Sequence, residues 1–215
     1  MIALHFHVFA AVSAADLIVL DVRTDAYAAL ADAVVDRRNA HVLLAPNGVA
    51  IAVVAADVLL SSGLAATGAV SFSEPLAAPT RAISADLDGR IRPRIRDLID
   101  LAAAAVCARR RLRRGLPCGE YLRERPGTRP GARDPRVAID ALRRARLFLP
   151  TPSRCLPASL VTAIFLRKRG IAAQIVFGVR THPFAAHCWV EHEGCVLEDE
   201  LDRVSAYVPI CVGLP

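Results

Sequence analysis

The chain has 215 residues, of which 54% are hydrophobic and 22% are charged, and its formal net charge is +6. A disordered chain is excluded, because burial of so much apolar surface can offset the entropy lost on ordering, and the length suits one domain or two small ones. Gly and Pro follow no period, which excludes a collagen-like chain. Polar residues interrupt the most apolar run, residues 48–70, so no membrane-spanning helix is expected.

The six cysteines indicate a reducing compartment. No two of them form a CxxC pair, and a chain of this length does not need a disulfide framework for stability. The first residues lack the basic segment with which a signal peptide begins. We therefore expect a cytoplasmic protein, with membrane association through a complex of partners as the alternative.

The first 89 residues carry a net charge of −5 and open with strand-like runs. His5–Phe9 is short and aromatic, and Asp16–Leu30 is typical of a hairpin, with apolar runs on both sides of a polar turn. Ala-rich helical stretches follow, with breaks at Pro46–Gly48 and Ser61–Gly63. Three strands followed by two or three short helices predict a small winged-helix-like unit.

The next segment, residues 90–146, has a net charge of +11. The stretch Ser73–Gly89, which contains two prolines, predicts a linker into it. One helix is predicted from Ile95 to Arg114, with an apolar stripe of residues 98, 99, 102, 106 and 112. A second is predicted from an N-cap at Asp134 to Phe148, because a proline in its first turn suits a helix start.

The 17 arginines of residues 90–146 have two interpretations. A basic segment beside a winged-helix-like unit is compatible with nucleic-acid binding. However, the winged-helix-like part is the acidic part, and aromatic residues do not interleave with the arginines to form a stacking platform for bases. A solvated or partner-binding helix face is therefore favoured, and no nucleic-acid partner is expected.

Residues 147–215 carry no net charge and hold the most informative motifs. The break Pro150–Arg154 is followed at once by Cys155, and an apolar helix then runs to a basic end and Gly170. Pro157 in the first turn and basic residues in the last are helix-boundary signals. Cys155 is therefore predicted at a helix N-terminus, where backbone N–H groups and the helix dipole favour a thiolate and can receive an oxyanion.

Three strands are predicted to follow: Ala172–Arg180, Ala186–Glu191 and Cys195–Glu200. The loop between the last two decides which carboxylate faces His187. A two-residue loop would place Glu200 opposite His187, whereas a three-residue loop ending in Gly194 would place Asp199 there. We favour the three-residue loop, because a glycine at its last position suits a bulged hairpin.

A cysteine hydrolase uses a cysteine, a histidine and an aspartate. Cys155, His187 and Asp199 would supply these three residues. In such a site the histidine takes the thiol proton and the aspartate fixes the imidazole tautomer. The alternative is that all three are structural, since most of the six cysteines must be inert.

Two motifs surround these residues: CLPASL, before a basic helix end and glycine, and PFAAHCWVE, before an acidic third strand. Together they resemble the lasso-peptide leader peptidases, which are the B proteins of lasso-peptide maturation within the transglutaminase-like cysteine hydrolases. The intervals from Cys155 to His187 and from His187 to Asp199 match the triad of that family. The motif LDVRTDAYAAL resembles the second and third strands of a PqqD-like domain, which binds a precursor's leader as an added strand.

The resemblance implies an α+β protein with two parts. Residues 1–80 would be a winged-helix-like, PqqD-type leader-recognition domain of three strands plus helices. Residues 81–215 would be a papain- or transglutaminase-like α+β cysteine protease domain, with Cys155 as the nucleophile, His187 as the base and Asp199 as its orienting partner.

The same resemblance implies a reaction and its partners. The peptidase would cleave leader from core and expose the α-amine that an ATP-dependent, asparagine-synthetase-like cyclase joins to a side-chain carboxyl. The partners would be the leader region of a lasso precursor and this cyclase, which would use ATP and Mg; no cofactor and no metal is expected in the chain itself. The leader would lie along the edge strand near the following residues: Leu20, Tyr27, Ala28, Ala29 and Leu30.

The chain departs from the family pattern at two positions near the triad. Cys188 stands where a small alanine is usual, which adds a thiol beside the base and a risk of oxidation. Ala158 stands where a basic residue is usual, so no charge contact is expected from that position.

Other functions stay open on the sequence. A cluster of His and Cys residues could hold zinc, but no pair has the spacing of a zinc finger or ribbon; its members are His182, His187, Cys188, His192 and Cys195. A transglutaminase-like or arylamine acetyltransferase-like enzyme would form the same acyl-enzyme and differ in the acceptor. A non-catalytic leader- or nucleic-acid-binding module would leave Cys155 inert.

Overall fold

The computed structural model describes residues 2–5, 8–13, 15–21, 24, 26–33, 43–44, 50–51, 53–67, 78–83, 92–113 and 134–212. The strands are β1 (Ile2–Leu4), β2 (Val8–Ser13), β3 (Asp16–Asp21), β4 (Ala26–Leu30), β5 (Leu43–Leu44), β6 (Ala50–Ile51), β7 (Ala65–Thr67), β8 (Arg81–Ile83), β9 (Gln174–Arg180), β10 (Ala185–His192), β11 (Cys195–Leu197) and β12 (Val208–Val212). The helices are α1 (Val53–Ser61), α2 (Ile95–Arg113), α3 (Pro135–Arg146), α4 (Cys155–Arg167) and α5 (Leu201–Ser205). The mixed content confirms the predicted α+β class.

The larger sheet has, within the described residues, the strand order β12-β9-β10-β11-β8. Neighbouring strands are antiparallel except for β8, which pairs with β11 in parallel. Helix α4 packs on one face of β10 and β9, while α5 brings Val204 against Trp189 and Val176 on the other face. Both faces are therefore covered, as the continuous burial of β9 indicates.

Helix α4 is the centre of the main hydrophobic core. Its residues 159–166 are all buried, and α2 and α3 pack against it. The buried face of α2 carries Leu101, Ala104 and Ala108, at helical spacing. The stripe predicted for α2 is wrong, because Ile99 and Val106 on it are 61% and 51% exposed. Small alanines face α4 instead, and they let the two helices approach closely.

The helix boundaries predicted for the C-terminal half are confirmed within a residue or two. The Asp134 carboxylate accepts a hydrogen bond from the N–H of Arg136 at 2.9 Å and so caps α3. Gly170, with φ of +78°, follows the end of α4. No helix of the described residues is long and apolar enough to cross a membrane.

The smaller sheet, the second of the two main ones, consists of β2, β3 and β4 in antiparallel order, and β1 with β7 and β5 with β6 form separate two-stranded sheets. The predicted hairpin is confirmed, with Leu20 paired to Tyr27 across it. Central strand β3 is buried on both faces: Ile18 and Leu20 enter the main core, whereas Leu17 and Val19 enter a second cluster. This three-stranded sheet fits a winged-helix-like domain.

Other expectations for the N-terminal region have mixed outcomes. The predicted aromatic strand begins at Val8 rather than at His5, and residues 6–7 lie outside the described residues. One described helix, α1, follows, and it ends at the predicted break, where Gly63 has a φ of +71°. The break predicted at Pro46–Gly48 lies outside the described residues.

The predicted linker contains part of the larger sheet. Within it the structure describes residues 78–83, and Arg81–Ile83 form β8. The sequence could not indicate this strand, because its partner β11 lies more than one hundred residues later in the chain. The division of the chain at residues 80 and 81 stays a prediction.

The smaller sheet contacts the turn between β9 and β10. The hydroxyls of Ser13 and Thr181 are 3.0 Å apart, and the ring of Tyr27 meets the ring of Phe184 edge-on at 6.0 Å. His182 Nε2 lies 3.2 Å from a carboxylate oxygen of Asp16. Strand β4 of the smaller sheet therefore lies next to the turn between β9 and β10.

Candidate active site

Cys155 is the first residue of α4, as the sequence predicts. The preceding Arg154 is extended, and its carbonyl accepts the N–H of Ala158 at 3.0 Å, which closes the first turn. Pro157 has no N–H to leave unsatisfied at this position. Cys155 itself is exposed, so its thiol is open to a substrate.

The pKa of Cys155 is lowered to about 4. The largest cause is a hydrogen bond from the side chain of Cys188, and the second is a hydrogen bond from His187. Partial burial opposes these effects, while the backbone N–H groups of Cys188 and Leu156 add to them. Cys155 is therefore a thiolate at neutral pH, and the thiol at position 188 stabilises it rather than standing apart from the site.

His187 lies on β10 near two aromatic rings. Its imidazole is 6.1 Å from the ring of Trp189 and 5.3 Å from that of Tyr207. Nε2 of His187 is 2.7 Å from Oδ2 of Asp199, which leaves Nδ1 for Cys155. The hydrogen bond to Asp199, followed by that to Cys155, raises the pKa of His187 to about 9. Cys155 and His187 thus form a thiolate–imidazolium pair between these two pKa values.

Asp199 lies in the loop after β11. Burial by itself would raise the pKa of Asp199, but hydrogen bonds from His187 and from the N–H of Glu200 outweigh it and lower this pKa. The N–H of Glu200 donates to Oδ1 of Asp199 at 2.9 Å, and Arg203 lies 3.9 Å from the same oxygen. Asp199 is therefore a carboxylate at neutral pH, aimed at the imidazolium.

The three-residue hairpin loop favoured from the sequence is wrong. His192 pairs with Cys195, so the turn has two residues, Glu193 and Gly194, both with positive φ. Positive φ at both central positions is typical of the type I′ turn that matches strand twist. Asp199 nevertheless reaches His187, because β11 ends at Leu197 and the chain leaves the strand register before Asp199.

A cleft of about 260 Å³ contains the three residues. Among its other lining residues are Ala158, Ser159 and Arg146. The hydroxyl of Ser159 donates to the carbonyl of Cys188 at 3.1 Å, which fastens α4 to β10 beside Cys155. Ala158, where a basic residue was expected, lines the cleft without bringing a charge.

Several residues that support His187 were missed by the sequence reasoning. The Trp189 indole donates to Glu191 at 2.6 Å, and burial raises the pKa of Glu191. Gly178 pairs with His187, and a Cβ at position 178 would lie 2.6 Å from the Trp189 ring. The Arg180 guanidinium lies 5.3 Å from the Tyr207 ring centroid. The one signal of this arrangement in the sequence was Gly178 within an apolar predicted strand, because such a glycine often marks a close approach of another group.

The residues predicted to bind a leader divide into two groups. Tyr27–Leu30 form most of β4, which pairs with β3 on one side and is an edge strand among the described residues. Ala28 and Ala29 are exposed. Leu20 lies on the central strand and is 1% exposed in the main core, so a peptide added to β4 would not contact its side chain.

The zinc cluster considered from the sequence does not assemble. Cys188 is buried against α4, whereas His182 is exposed and lies near Asp16. His192 contacts the carbonyl of Ala172 instead. Across the part of the chain that the structure describes, no three His, Cys, Asp or Glu side chains are placed to hold a metal ion.

The sequence of the chain is similar to that of known proteins. A family model described as "Transglutaminase-like superfamily" matches residues 97–212, more than half of the chain. The microcin J25-processing protein McjB of Escherichia coli is 47% identical over 47 residues, which are 22% of this chain and 23% of that protein. The matched segment thus spans about a quarter of that relative. No solved structure matches the chain. The two matches confirm the resemblance that the motifs around Cys155 and His187 indicate, and the PqqD-like resemblance of the N-terminal region stays a prediction.

Proposed function

Because this chain belongs to the transglutaminase-like superfamily, we propose that it is a cysteine peptidase that cleaves the leader from the core of a lasso-peptide precursor. The observation that carries the proposal is the contact of an exposed cysteine at a helix N-terminus with a histidine whose other nitrogen bonds a carboxylate. Cys155 would be the nucleophile, His187 the general acid and base, and Asp199 its orienting partner. The superfamily match by itself supports a cysteine-dependent enzyme.

In the acylation step the Cys155 thiolate attacks the carbonyl carbon of the peptide bond between leader and core. The N–H groups of Leu156 and Cys188 hydrogen-bond the thiolate in the free enzyme. Once the sulfur becomes covalently bound and loses its charge, these donors and the α4 N-terminus lie beside the new oxyanion. His187 gives its proton to the departing core amine, and a leader thioester on Cys155 is left.

In the deacylation step water replaces the core amine. His187, now neutral, takes a proton from the water as it attacks the thioester. Breaking the carbon–sulfur bond returns the thiolate and releases the leader as a carboxylic acid. In both steps the Asp199 carboxylate stabilises the imidazolium. It also holds the imidazole in one tautomer and orientation.

Leader recognition is assigned to the smaller sheet within residues 1–80. An extended peptide can add to β4 through main-chain hydrogen bonds. The Tyr27–Phe184 contact places this strand next to the turn that leads into β10 and His187. A leader bound along β4 would therefore have a short path from its binding strand to the cleft. The similarity to a microcin-processing protein supports a peptide precursor as the substrate.

The product suggests the partner reaction. Cleavage frees the α-amine of the core, which an asparagine-synthetase-like cyclase would join to a side-chain carboxylate after activating that carboxylate with ATP. The peptidase and the cyclase would act in one maturation complex, because the freed core must reach the second enzyme.

The test is to incubate the purified protein with the linear precursor peptide encoded beside its gene, with and without the neighbouring cyclase and ATP. Masses of the products are read over time. We expect release of the leader, and none from Cys155→Ala. Binding of the precursor without cleavage under every condition would contradict the peptidase and leave a leader-binding module.

A transferase with the same acyl-enzyme is the second candidate, and the superfamily match favours it as the alternative. Adding an excess of a primary amine to the same reaction separates the two. A peptidase releases mainly the leader acid, whereas a transferase gives mainly the leader amide.

A further inference from the structure

Glu198, the residue before Asp199, is gripped by two arginines of α3. Its Oε1 lies 2.6 Å from Nε of Arg143, and its Oε2 accepts a hydrogen bond from Nη1 of Arg146. The Glu198 side chain is 9% exposed, so this double contact is shielded from water. Arg146 is itself fixed by a hydrogen bond from Nη2 to the hydroxyl of Thr162 on α4.

The backbone at Glu198 is in the left-handed region, with φ of +67°. Residues other than glycine rarely adopt this conformation, because their Cβ crowds the carbonyl oxygen. Here it ends the register of β11: Val190 still pairs with Leu197, and continued pairing would have brought Glu200 opposite His187. The turn at Glu198 brings Asp199 to His187 instead.

We infer that Glu198, held by Arg143 and Arg146, is a positioning residue that keeps Asp199 against His187. The inference rests on the roles given to Cys155, His187 and Asp199 in the proposed function. The two ion pairs hold the loop in a backbone conformation that a glutamate would otherwise leave. They also give a local role to two arginines of the basic segment, on the helix adjoining the site.

Other groups also face the three site residues, and one of them, Arg146, is bonded to Glu198. They come from several elements: Arg203 beside Asp199, Cys188 beside Cys155, Arg146 in the cleft wall, and Tyr207 against the His187 ring. A change at Glu198 therefore acts on the thiolate through Asp199 and His187, with Arg146 freed from its partner as the one added charge. A freed Arg146 cation would favour the thiolate and so lower the pKa of Cys155. This is opposite in direction to the rise in the pKa of Cys155 that loss of the Asp199–His187 contact should cause.

The test measures how fast iodoacetamide alkylates Cys155 as a function of pH, with the Cys155 peptide read by mass spectrometry. The wild-type midpoint should lie near the Cys155 pKa of about 4. In Glu198→Gln the neutral amide cannot hold both arginines, so Asp199 leaves His187, and the imidazole is no longer oriented to hydrogen-bond the Cys155 thiolate. We expect the midpoint to rise by about one pH unit or more, equal to a roughly tenfold slower reaction below it.

Glu193→Gln is the matched control, since Glu193 is also a glutamate at positive φ in the same hairpin region, but 85% exposed. Its midpoint should stay at the wild-type value. Arg143→Gln removes one arm of the grip and should shift the midpoint in the same direction by less. If Glu198→Gln does not fold, the midpoint of Arg143→Gln tests the inference in its place, and a wild-type midpoint in Arg143→Gln would then overturn it.

A folded Glu198→Gln protein with a wild-type midpoint would overturn the inference and leave Glu198 a purely structural residue. Alkylation needs no peptide substrate, so the outcome is independent of the cleavage assay. A shifted midpoint in a protein that never cleaves a precursor would contradict the proposed function and leave the inference standing.

Discussion

The two main sheets of the described residues offer a substrate different parts of the chain. At the active site beside the larger sheet, the reacting groups are side chains. Charge-assisted contacts hold this region in place: His187 contacts Asp199, and Glu198 contacts Arg143. Strand β4, which is an edge strand among the described residues, has the sequence AYAAL, with no charge and small exposed alanines, so it presents its backbone. The chemistry should therefore depend on side-chain identity, whereas leader binding should depend on the backbone N–H and C=O groups of β4.

The largest effect is expected for Cys155→Ala, which removes the nucleophile and nothing from β4. Cleavage of the precursor should fall by about 10³-fold or more, while the affinity for a fluorescently labelled leader stays at the wild-type value. Cys195→Ala, at a half-buried cysteine outside the cleft, is the control and should cleave normally. An equal loss of leader affinity in Cys155→Ala would contradict the separation of the two roles.

Asp199→Asn should follow, with kcat/KM lower by about 10²- to 10⁴-fold, because the amide cannot stabilise the imidazolium. Glu200→Gln is the matched control on the next residue, which is exposed. Steady-state cleavage rates distinguish them. A larger loss in Glu200→Gln would mean that the strand register, and not the turn at Glu198, determines the partner of His187.

Proline substitutions on β4 test the backbone side of the comparison. Successive N–H groups of a strand point in opposite directions, so Ala28→Pro and Ala29→Pro remove one N–H that faces β3 and one that faces outward. The variant that loses the outward N–H should bind the leader about tenfold or more weakly, with Cys155 alkylation unchanged. The other should lower the unfolding temperature. Wild-type leader affinity in both variants would exclude β4 as the binding edge.

The pH dependence of kcat/KM should be bell-shaped. As the pH falls through the Cys155 pKa of about 4, the thiolate is protonated and activity is lost. As the pH rises through the His187 pKa of about 9, the imidazolium loses the proton that the core amine needs. Each limb should fall about tenfold per pH unit. An acid limb near pH 8 would contradict the ion pair.

The smallest effect is expected for Phe184→Ala, where the two regions meet. Loss of the ring contact with Tyr27 should raise KM about two- to tenfold, with the affinity for the isolated leader unchanged. Phe148→Ala, equally exposed but outside this contact, is the control. Equal effects of the two variants would show that the Tyr27–Phe184 contact does not guide the precursor.

The sequence could predict the elements whose signals are local. A proline-rich break followed by a helix N-terminus located Cys155, and capping residues located α3. The β3–β4 hairpin followed from two apolar runs around a polar turn. The identity of the His187 partner was predicted for the wrong reason, since the two-residue turn would have selected Glu200 had β11 continued.

What the sequence could not give depends on contacts between distant residues. The position of Asp199 depends on the grip of Arg143 and Arg146, more than fifty residues earlier, on Glu198. The parallel pairing of β8 with β11 leaves no periodic signal in three residues. The buried face of α2 was misassigned because apolar residues occur on more than one side of that helix, and packing on α4 selects the alanines.

The central claim is tested most directly by cleaving the precursor in water enriched in heavy oxygen and weighing both products. Hydrolysis of a leader thioester on Cys155 predicts one heavy oxygen atom in the new carboxylate of the leader, none in the core, and no product from Cys155→Ala. Unlabelled leader, label in the core, or labelled leader from the Cys155→Ala protein would contradict hydrolysis through Cys155.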